Sequence, residues 1–430
     1  MTTPDMTRSK AMYALLERLF PICRSITGNG VRQTLTILGE CIPLETHEVP
    51  SGTQVFDWTV PPEWNIHDAY VADACGNRVI DFQKNNLHVV GYSIPINGRF
   101  SREELDEHLY SLPEQPSAIP YVTSYYKAHW GFCLPHCERG RLTDPWYDVV
   151  IDSTLAPGSL TYADLVIPGE SEEEILISTY VCHPSLANNE LSGPVVATYL
   201  AMALLRRERR RFTYRFVFVP ETIGSITYLS RYKDHLKKHV VAGFVVTCVG
   251  DNAKFCYLKS RAGETLADRI VLHVLKHAEP DALIFEFTES GSDERQYCSP
   301  GINLPVGSLM RTKYGCFPEY HTSLDNLEFV SAEALAGSLE MYLRCVDGLE
   351  RNHVYRSRTY GDPQLGKRGL YPSISSKEFA ESLRLMINLI AYCDGTHDLL
   401  WIADKFGVPL ARLVEVADLL TSHELLERVS

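Results

Sequence analysis

The chain has 430 residues, of which 45% are hydrophobic and 22% are charged, and its formal net charge at pH 7 is −13. This length and composition predict a globular protein of two or three domains with a sizeable core. The negative charge argues against a surface built to bind nucleic acid or anionic lipid, because phosphate groups are bound by clustered lysine and arginine.

The N-terminal sequence lacks the continuous apolar segment of a signal peptide, and no stretch approaches the ~20 apolar residues of a membrane-spanning helix. The 12 cysteines are scattered without a paired spacing, which in a reducing compartment indicates buried thiols. We therefore expect a cytoplasmic protein that does not bind a membrane. The composition leaves open whether it forms a homo-oligomer.

Taken in order, the chain changes character after its first two predicted helices. Residues 46–135 contain short β-like runs and proline pairs, which indicate a small inserted β-rich domain. A predicted hairpin of residues 147–155 and 160–169 follows, and then strands alternate with long apolar helices. This alternation predicts an α/β domain, comprising residues 1–45 and 136–351, with a mixed, mostly parallel sheet covered by helices on both faces.

The C-terminal part has a different pattern. Residues 352–372 form a polar predicted linker, and residues 373–430 predict three helices, the last two joined by a glycine-containing turn, as in winged-helix modules. This segment has five basic and nine acidic side chains, a net charge of −4. We therefore expect a packing or protein-interaction module that does not bind nucleic acid.

The predicted α/β domain is organised around residues 176–193, LISTYVCHPSLANNELSG. An apolar strand ends just before His183, a polar loop brings back Glu190, and an apolar helix begins at the Ser-Gly pair. Side chains at the carboxyl end of such a strand converge above the sheet. His183 and Glu190 could hold a metal there, although a hydrogen-bonded loop without a metal would give the same pattern.

Two further strand ends carry ionisable residues. Glu221 ends the apolar run RFVFVP, and His321 lies in PEYHTSLDNL before the last helix of the domain. Two imidazoles and a carboxylate suit zinc, which lowers the pKa of water, and a carboxylate that does not bind the metal can transfer protons. The sequence therefore predicts a zinc site of His183, Glu190 and His321, with Glu221 as general base. Taken singly, Glu221 is better explained as a strand-end carboxylate at a helix N-terminus and His321 as a hydrogen-bonded capping histidine, but together these residues favour a site.

Longer motifs make the chain similar to known proteins. A strand-end His with an acidic-x-x-Ser-Gly helix start, a Glu-x-Ile-Gly strand end and Tyr-His-Thr-x-x-Asp resemble the zinc aminopeptidases of the carboxypeptidase-type α/β fold. RSITGNGVRQTL, CHPSLANNELSGPVVATYL and PEYHTSLDNLEFV resemble an uncharacterised bacterial family with three parts. These are an aminopeptidase-like domain, an inserted small β domain and a C-terminal winged helix. The resemblance extends over essentially the whole chain.

The resemblance also exposes departures from the aminopeptidase pattern. The two histidines match the first and last metal ligands, and Glu221 matches the general base. Asn189, Thr222 and Cys248, however, occupy positions where the aminopeptidases have metal-binding carboxylates. Because a neutral amide bridges two cations poorly, we expect one zinc ion per chain rather than two.

The remaining acidic residues near these motifs have less definite roles. Glu190 is our first choice for the carboxylate ligand and Asp251 our second. Asn189, Asp293 and Glu319 are candidates for binding the substrate or for orienting a ligand imidazole from the second coordination sphere. Salt bridges with nearby arginines would explain Asp293 and Glu319 equally well.

The resemblance implies a metal-dependent hydrolase of the aminopeptidase type. Its substrate would be a short peptide or an aminoacylated small metabolite, cleaved at an amide bond by a metal-activated water. The replaced carboxylates motivate an alternative, a degenerate hydrolase that binds a ligand or a partner protein. Stoichiometric zinc and amidase activity would distinguish the two hypotheses.

Overall fold

The computed structural model of the protein describes residues 6–370 and 377–429. The predicted start of the C-terminal module, residue 373, lies outside these residues. The chain divides into two compact units, Met1–Ala267 with Leu283–Glu340 and Asp268–Ala282 with Met341–Ser430.

The secondary structure elements are numbered in chain order. The strands are β1 (Glu45–Pro50), β2 (Gln54–Val55), β3 (Trp58–Thr59), β4 (Glu63–Ala72), β5 (Arg78–Asp81), β6 (Ile96–Ser101), β7 (Leu109–Tyr110), β8 (Phe132–Cys133), β9 (Trp146–Ala156), β10 (Ser159–Ile167), β11 (Glu174–Tyr180), β12 (Thr213–Val219), β13 (Val240–Val245), β14 (Cys256–Leu258), β15 (Leu283–Phe285), β16 (Val306–Met310), β17 (Val354–Ser357), β18 (Asp394–Asp398) and β19 (Leu426–Arg428). The α-helices are α1 (Met6–Leu19), α2 (Asn29–Gly39), α3 (Arg102–Asp106), α4 (His136–Arg139), α5 (Ser192–Leu205), α6 (Ile223–His239), α7 (Leu266–Ala278), α8 (Glu294–Tyr297), α9 (Ala332–Arg351), α10 (Lys377–Tyr392), α11 (Leu399–Phe406) and α12 (Leu410–Ser422).

The first unit is built on a large mixed sheet. Among the described residues, eight strands follow the order β1-β10-β12-β11-β13-β16-β14-β15. The central strands β12, β11, β13 and β16 are parallel, whereas β1, β10 and β14 each have an antiparallel neighbour. Every residue of β11 is buried, as expected for a strand covered on both faces. The predicted α/β class is confirmed.

Helices cover the main sheet. α5 begins at the end of the central stretch and is apolar around most of its circumference, so nearly all of its residues are buried. It packs against β11 and α1, whereas α6 packs against β10 and β12. A hydrophobic cluster that includes Val71, Val149, Leu176 and Val217 extends from the main sheet into a smaller one.

The smaller sheet also belongs to the first unit. Four described strands follow the order β5-β4-β9-β6, and each neighbouring pair is antiparallel. Most of this sheet comes from residues 46–135, but β9 follows that segment, and β1 lies in the main sheet. The division into an α/β domain and an inserted domain stays a prediction, and strand pairing crosses its boundaries at these two places.

The predicted hairpin of residues 147–155 and 160–169 is wrong. β9 pairs with β4 and β6, whereas β10 pairs with β1 and β12. Tyr147, Val149 and Ile151 are buried and alternate with more exposed residues along β9. This period-two pattern suits a strand of either sheet, so it does not identify the partner strand.

The second unit contains the C-terminal helices. α11 begins after Asp398, whose carboxylate accepts a hydrogen bond of 2.8 Å from the Trp401 N–H, and ends at Gly407 in the left-handed region, φ 67°. The strands β18, β17 and β19 form a sheet beside these helices. β17 falls within residues 352–372, so the segment expected to be a linker supplies a strand. Across the described ranges of the chain, the helices are too short or too polar to span a membrane.

Gly193 allows α5 to begin close to β13. A Cβ atom at this position would lie 2.2 Å from the carbonyl oxygen of Val246. We therefore expect Gly193→Ala to lower the free energy of unfolding by about 1–3 kcal/mol, because backbone atoms must move to admit the methyl group. Urea denaturation measures this change.

Gly39, the last residue of α2, is the matched control. A Cβ atom there would meet nothing within 4 Å, so Gly39→Ala should leave stability unchanged or raise it by up to about 1 kcal/mol. Equal urea midpoints for the two variants would contradict the close approach at Gly193.

Candidate active site

His183 lies just beyond the carboxyl end of β11, with its side chain buried. Its Nδ1 atom is 2.8 Å from Oε2 of Glu190, and its Nε2 atom is 3.6 Å from Oε2 of Glu221. The Glu190 carboxylate therefore fixes the plane of the imidazole and leaves Nε2 directed towards Glu221. The structure brings together these three residues, as the sequence predicted.

Arg24 anchors the loop that carries His183. Its buried guanidinium donates hydrogen bonds to the backbone carbonyls of Leu19, His183 and Pro184 at 2.8, 2.8 and 3.0 Å. It also lies 3.6 Å from Oε1 of Glu190, and both side chains are fully buried. Glu190 is thus held between a guanidinium and an imidazole. Sequence reasoning missed Arg24, although it lies in the RSITGNG motif.

The loop between His183 and α5 is shaped by a distant carboxylate. Residues 187–191 form a π-helical turn ahead of α5, in which the Ser192 N–H bonds to the Ala187 carbonyl. Asp325 accepts hydrogen bonds from the backbone N–H groups of Asn188 and Asn189 at 2.6 and 2.9 Å. A carboxylate is favoured at this position because the first N–H groups of a helix lack partners within it. Sequence reasoning assigned no role to Asp325.

His321 faces His183 across the site, with ring centroids 5.4 Å apart. Its ring stacks on Tyr320 at 3.9 Å, and its backbone is in the left-handed region, φ 56°. Tyr121 contacts both imidazoles, at 5.2 Å and 5.1 Å between centroids. The buried Nε2 atom of His321 has no hydrogen-bond partner among the described residues. Such a nitrogen is available to a ligand or a metal.

Glu221 sits at a strained turn between β12 and α6. Thr222 has φ 62° and ψ −75°, and the Ile223 N–H bonds to the Glu221 carbonyl at 2.8 Å. This is a γ-turn of the strained, positive-φ kind, which is rare for a β-branched residue. The turn holds the Glu221 side chain beside His183, where 25% of its surface is exposed. The Ser292 hydroxyl donates a hydrogen bond to its Oε1 atom.

Asp293 stabilises this turn from a different part of the chain. Its Oδ1 atom accepts hydrogen bonds from the Thr222 N–H at 2.7 Å and from the Ser225 hydroxyl at 2.8 Å. Its Oδ2 atom is buried and has no hydrogen-bond partner within the described ranges. Within the described residues, the hydrogen bonds of Asp293 are therefore with the start of α6.

The candidate residues Asn189 and Asp251 form hydrogen bonds with other side chains. Asn189 donates to the Tyr180 hydroxyl at 2.7 Å, and its buried Oδ1 atom lacks a partner in the part of the chain described. Asp251 accepts from Asn188 at 2.9 Å and from the Thr312 hydroxyl at 3.1 Å. These bonds give Asp251 a role in holding loops together.

Glu319 precedes the His321 turn. Its backbone carbonyl accepts hydrogen bonds from the N–H and the hydroxyl of Thr322, at 3.1 and 2.8 Å, and its side chain is half-buried. The backbone of Glu319 therefore shapes the turn that carries His321.

Burial sets the protonation states of the site. It lowers the pKa of His183 to about 3, helped by the nearby Arg24, and lowers the pKa of His321 to about 3, helped by His183. Burial also raises the pKa of Glu221, and the carboxyl of Asp293 adds to the rise. At pH 7 both imidazoles are therefore neutral, which is the form that binds metals.

These donors are of the kind that bind a metal ion. Cys182, His183 and Glu190 offer ligand atoms within 4.8 Å of one another, but burial raises the pKa of the Cys182 thiol, which disfavours the thiolate that binds metals. The buried Nε2 atom of His321 and Oδ1 atom of Asn189 lack partners in the described structure. Neutral imidazoles with an oxygen donor nearby are the ligands that zinc accepts.

Family models place the chain among known proteins. One, described as a domain of unknown function (DUF4910), matches residues 13–352, and one described as winged helix-turn-helix matches residues 353–428. The chain belongs to the DUF4910 family. The predicted resemblance to an uncharacterised family with a C-terminal winged helix is confirmed, and the winged-helix match begins 20 residues before the predicted start at 373.

Relatives of this DUF4910 protein share its fold. A Clostridium acetobutylicum protein whose name combines polysaccharide biosynthesis with an aminopeptidase-like domain is 49% identical over 97% of this chain and 96% of its own. A crystal structure from that species, named as a candidate peptidase, covers 98% of this chain and 96% of its own with a TM-score of 0.93 and 48% identity. BSAP, a zinc aminopeptidase from Bacillus subtilis, matches at a TM-score of 0.58 and 11% identity, over 79% of this chain and 94% of its own. At that identity the match to BSAP shows the fold alone.

The DUF4910 site has strained backbone at three junctions. Thr222, Cys248 and His321 have φ values of 62°, 50° and 56°. Strained residues of this kind persist where surrounding contacts hold them, and they cluster at functional sites.

Arg24 should contribute strongly to stability through its buried contacts. We expect Arg24→Met to lower the free energy of unfolding by about 3–5 kcal/mol, because it leaves the buried Glu190 carboxylate without its cation. Urea denaturation followed by circular dichroism measures the change.

Arg18→Met is the matched control. Arg18 pairs with Glu40 at the surface, where both side chains are 51% exposed, so the loss should stay below about 1 kcal/mol. Similar small losses in the two variants would show that Glu190 does not depend on Arg24.

Proposed function

We propose that this DUF4910 protein is a metal-dependent hydrolase of the aminopeptidase type. Its substrate is a short peptide or an aminoacylated small metabolite, cleaved at an amide bond. The observation that carries the proposal is the pair of buried, neutral imidazoles, His183 and His321, beside the carboxylate of Glu221. The aminopeptidase-like fold and the name of the 49% identical relative support it.

His183 and His321 would hold one zinc ion through their Nε2 atoms. Glu190 already bonds Nδ1 of His183 and pairs with Arg24, so we assign it the role of orienting the imidazole, a revision of its predicted role as a ligand. Asn189 or Asp293, each with a partnerless buried oxygen among the described atoms, would supply the oxygen donor. When bound, zinc supplies a Lewis acid that polarises a carbonyl and lowers the pKa of water.

Glu221 would move the proton. Its Oε1 atom accepts from the Ser292 hydroxyl, which leaves Oε2, the atom nearer His183, to take a proton from the attacking water. The same atom then delivers that proton to the departing amine nitrogen, so that one water is consumed for each amide cleaved. The raised pKa of Glu221 suits a group that both accepts and donates a proton near neutrality.

The strained turn at Thr222 would keep Glu221 in place during this transfer. Asp293 and Ser225 hold the turn. The Thr222 N–H donates to Asp293, and the Ser225 hydroxyl shares its one proton between Asp293 and the Thr222 carbonyl. A base held this way loses little conformational freedom when substrate binds.

A second candidate function is ligand or partner binding without hydrolysis. It is favoured by Asn189, Thr222 and Cys248, which lack the charged oxygens of the aminopeptidase ligands at the matching positions. The two experiments below separate it from the hydrolase.

Glu221→Gln should abolish hydrolysis of aminoacyl p-nitroanilides while leaving the zinc content unchanged, because the amide cannot accept the proton from water. Release of nitroaniline and elemental analysis measure the two quantities. Glu333→Gln, at an exposed position in the first turn of α9, is the matched control and should retain full activity. Full activity in Glu221→Gln would exclude Glu221 as the base.

The purified protein should bind about one zinc ion per chain after incubation with zinc, as measured by elemental analysis. His183→Ala and His321→Ala should each lose that ion, because a remaining imidazole and one oxygen bind zinc weakly. His67→Ala, at an exposed position on β4, should retain it. Wild-type protein without zinc under these conditions would favour the binding-protein alternative.

A further inference from the structure

An aromatic pocket opens beside the candidate base. It has a volume of about 260 Å³, and its lining includes His183 and Glu221. Sites that enclose a whole drug-sized ligand typically measure about 300–1,000 Å³. A pocket of this size therefore suits one side group of a substrate whose amide bond lies at Glu221.

Aromatic rings form the outer wall of this pocket. Trp58, on the short hairpin of β2 and β3, and Tyr126, in the segment before β8, both line it. The two rings meet edge to face with centroids 5.7 Å apart, yet 40% of Trp58 and 54% of Tyr126 are exposed. Adjacent large apolar groups left in water are typical of a surface that binds a ligand.

The backbone around these rings is unusual as well. Tyr126 has φ 62°, and Phe56, in the turn that presents Trp58, has φ 54°. Bulky residues rarely adopt this region, and strain of this kind clusters at ligand-binding segments. The next ring, Tyr125, shares a hydrogen bond of 2.9 Å with the Tyr121 hydroxyl, and Tyr121 contacts both imidazoles. The aromatic rings that line the pocket are thus connected to His183 and His321.

The charge of the pocket restricts what it can accept. Its described lining contains the Glu221 carboxyl and the neutral His183 but no lysine or arginine. A carboxylate or phosphate side group would therefore lie near the Glu221 carboxyl without a lysine or arginine of the described lining to pair with it. Ring faces instead favour a flat, uncharged group, which can stack on Trp58 and Tyr126.

We propose that this pocket selects substrates by an uncharged ring next to the scissile amide, which stacks on Trp58 and Tyr126. This inference deepens the proposed function and rests on it in one respect, since it places the ring beside the bond that Glu221 acts on. The recognising rings lie in residues 46–135, outside the main sheet that carries the histidines and Glu221.

Binding of amino acid amides to the full-length Glu221→Gln protein, measured by calorimetry, tests the proposal without turnover. L-phenylalanine amide should bind at least tenfold more tightly than L-alanine amide or L-glutamic acid α-amide. Trp58→Ala in the same background should remove that preference, and Trp58→Phe should largely restore it. Trp146→Ala, which removes an exposed tryptophan on β9, should leave it unchanged.

The outcomes separate this inference from the proposed function. A ring preference that depends on Trp58, in a wild-type protein that hydrolyses none of the amides, would refute the hydrolase and support the ring pocket. Hydrolysis without any ring preference, or with equal affinities in Trp58→Ala, would overturn the ring pocket alone. Tighter binding of L-lysine amide than of L-phenylalanine amide would also overturn it, because the rings would then select a cation.

Discussion

The buried contact of Arg24, Glu190 and His183 is the constraint on which the site depends. A guanidinium and a carboxylate without exposure to water are tolerated only when each has partners, and here the partners are the carbonyls of the His183 loop and the imidazole itself. The ion pair therefore fixes the loop and the ring plane together. This interaction links α1, the end of β11 and the turn before α5. Because Glu190 already pairs with Arg24 and bonds Nδ1 of His183, its position favours orienting the imidazole over binding a metal.

Carboxylates from other parts of the chain also bond the turns before α5 and α6. Asp293 bonds the N–H of Thr222, and Asp325 bonds two N–H groups of the π-helical turn before α5. In each case a carboxylate meets N–H groups at the start of a helix, where the helix dipole favours negative charge. The strained turn at Thr222 is thus bonded by a carboxylate from another segment, and Asp325 connects the segment that carries His321 to the turn before α5.

The sequence predicted the members of the site better than their contacts. His183, Glu221 and His321 could be grouped because the carboxyl ends of parallel strands meet at one edge of a sheet. Arg24 and Asp325 were missed because their partners lie 159 and 137 residues away, and no local pattern records such a distance. The error over β9 has a different cause, since its alternation fits either sheet. The fold class, in contrast, followed from the alternation of apolar strands and helices.

The acidic side chains buried near the imidazoles are relevant to whether the site can still bind a metal ion. Glu190, Glu221, Asp293 and Asp325 are drawn from four separate segments between secondary structure elements, and burial raises the pKa of each. Within the described residues, Arg24 is the basic side chain in contact with this group, and it pairs with Glu190. A divalent cation would favour the ionised forms of these carboxyls, and the two neutral imidazoles would bind it without adding positive charge.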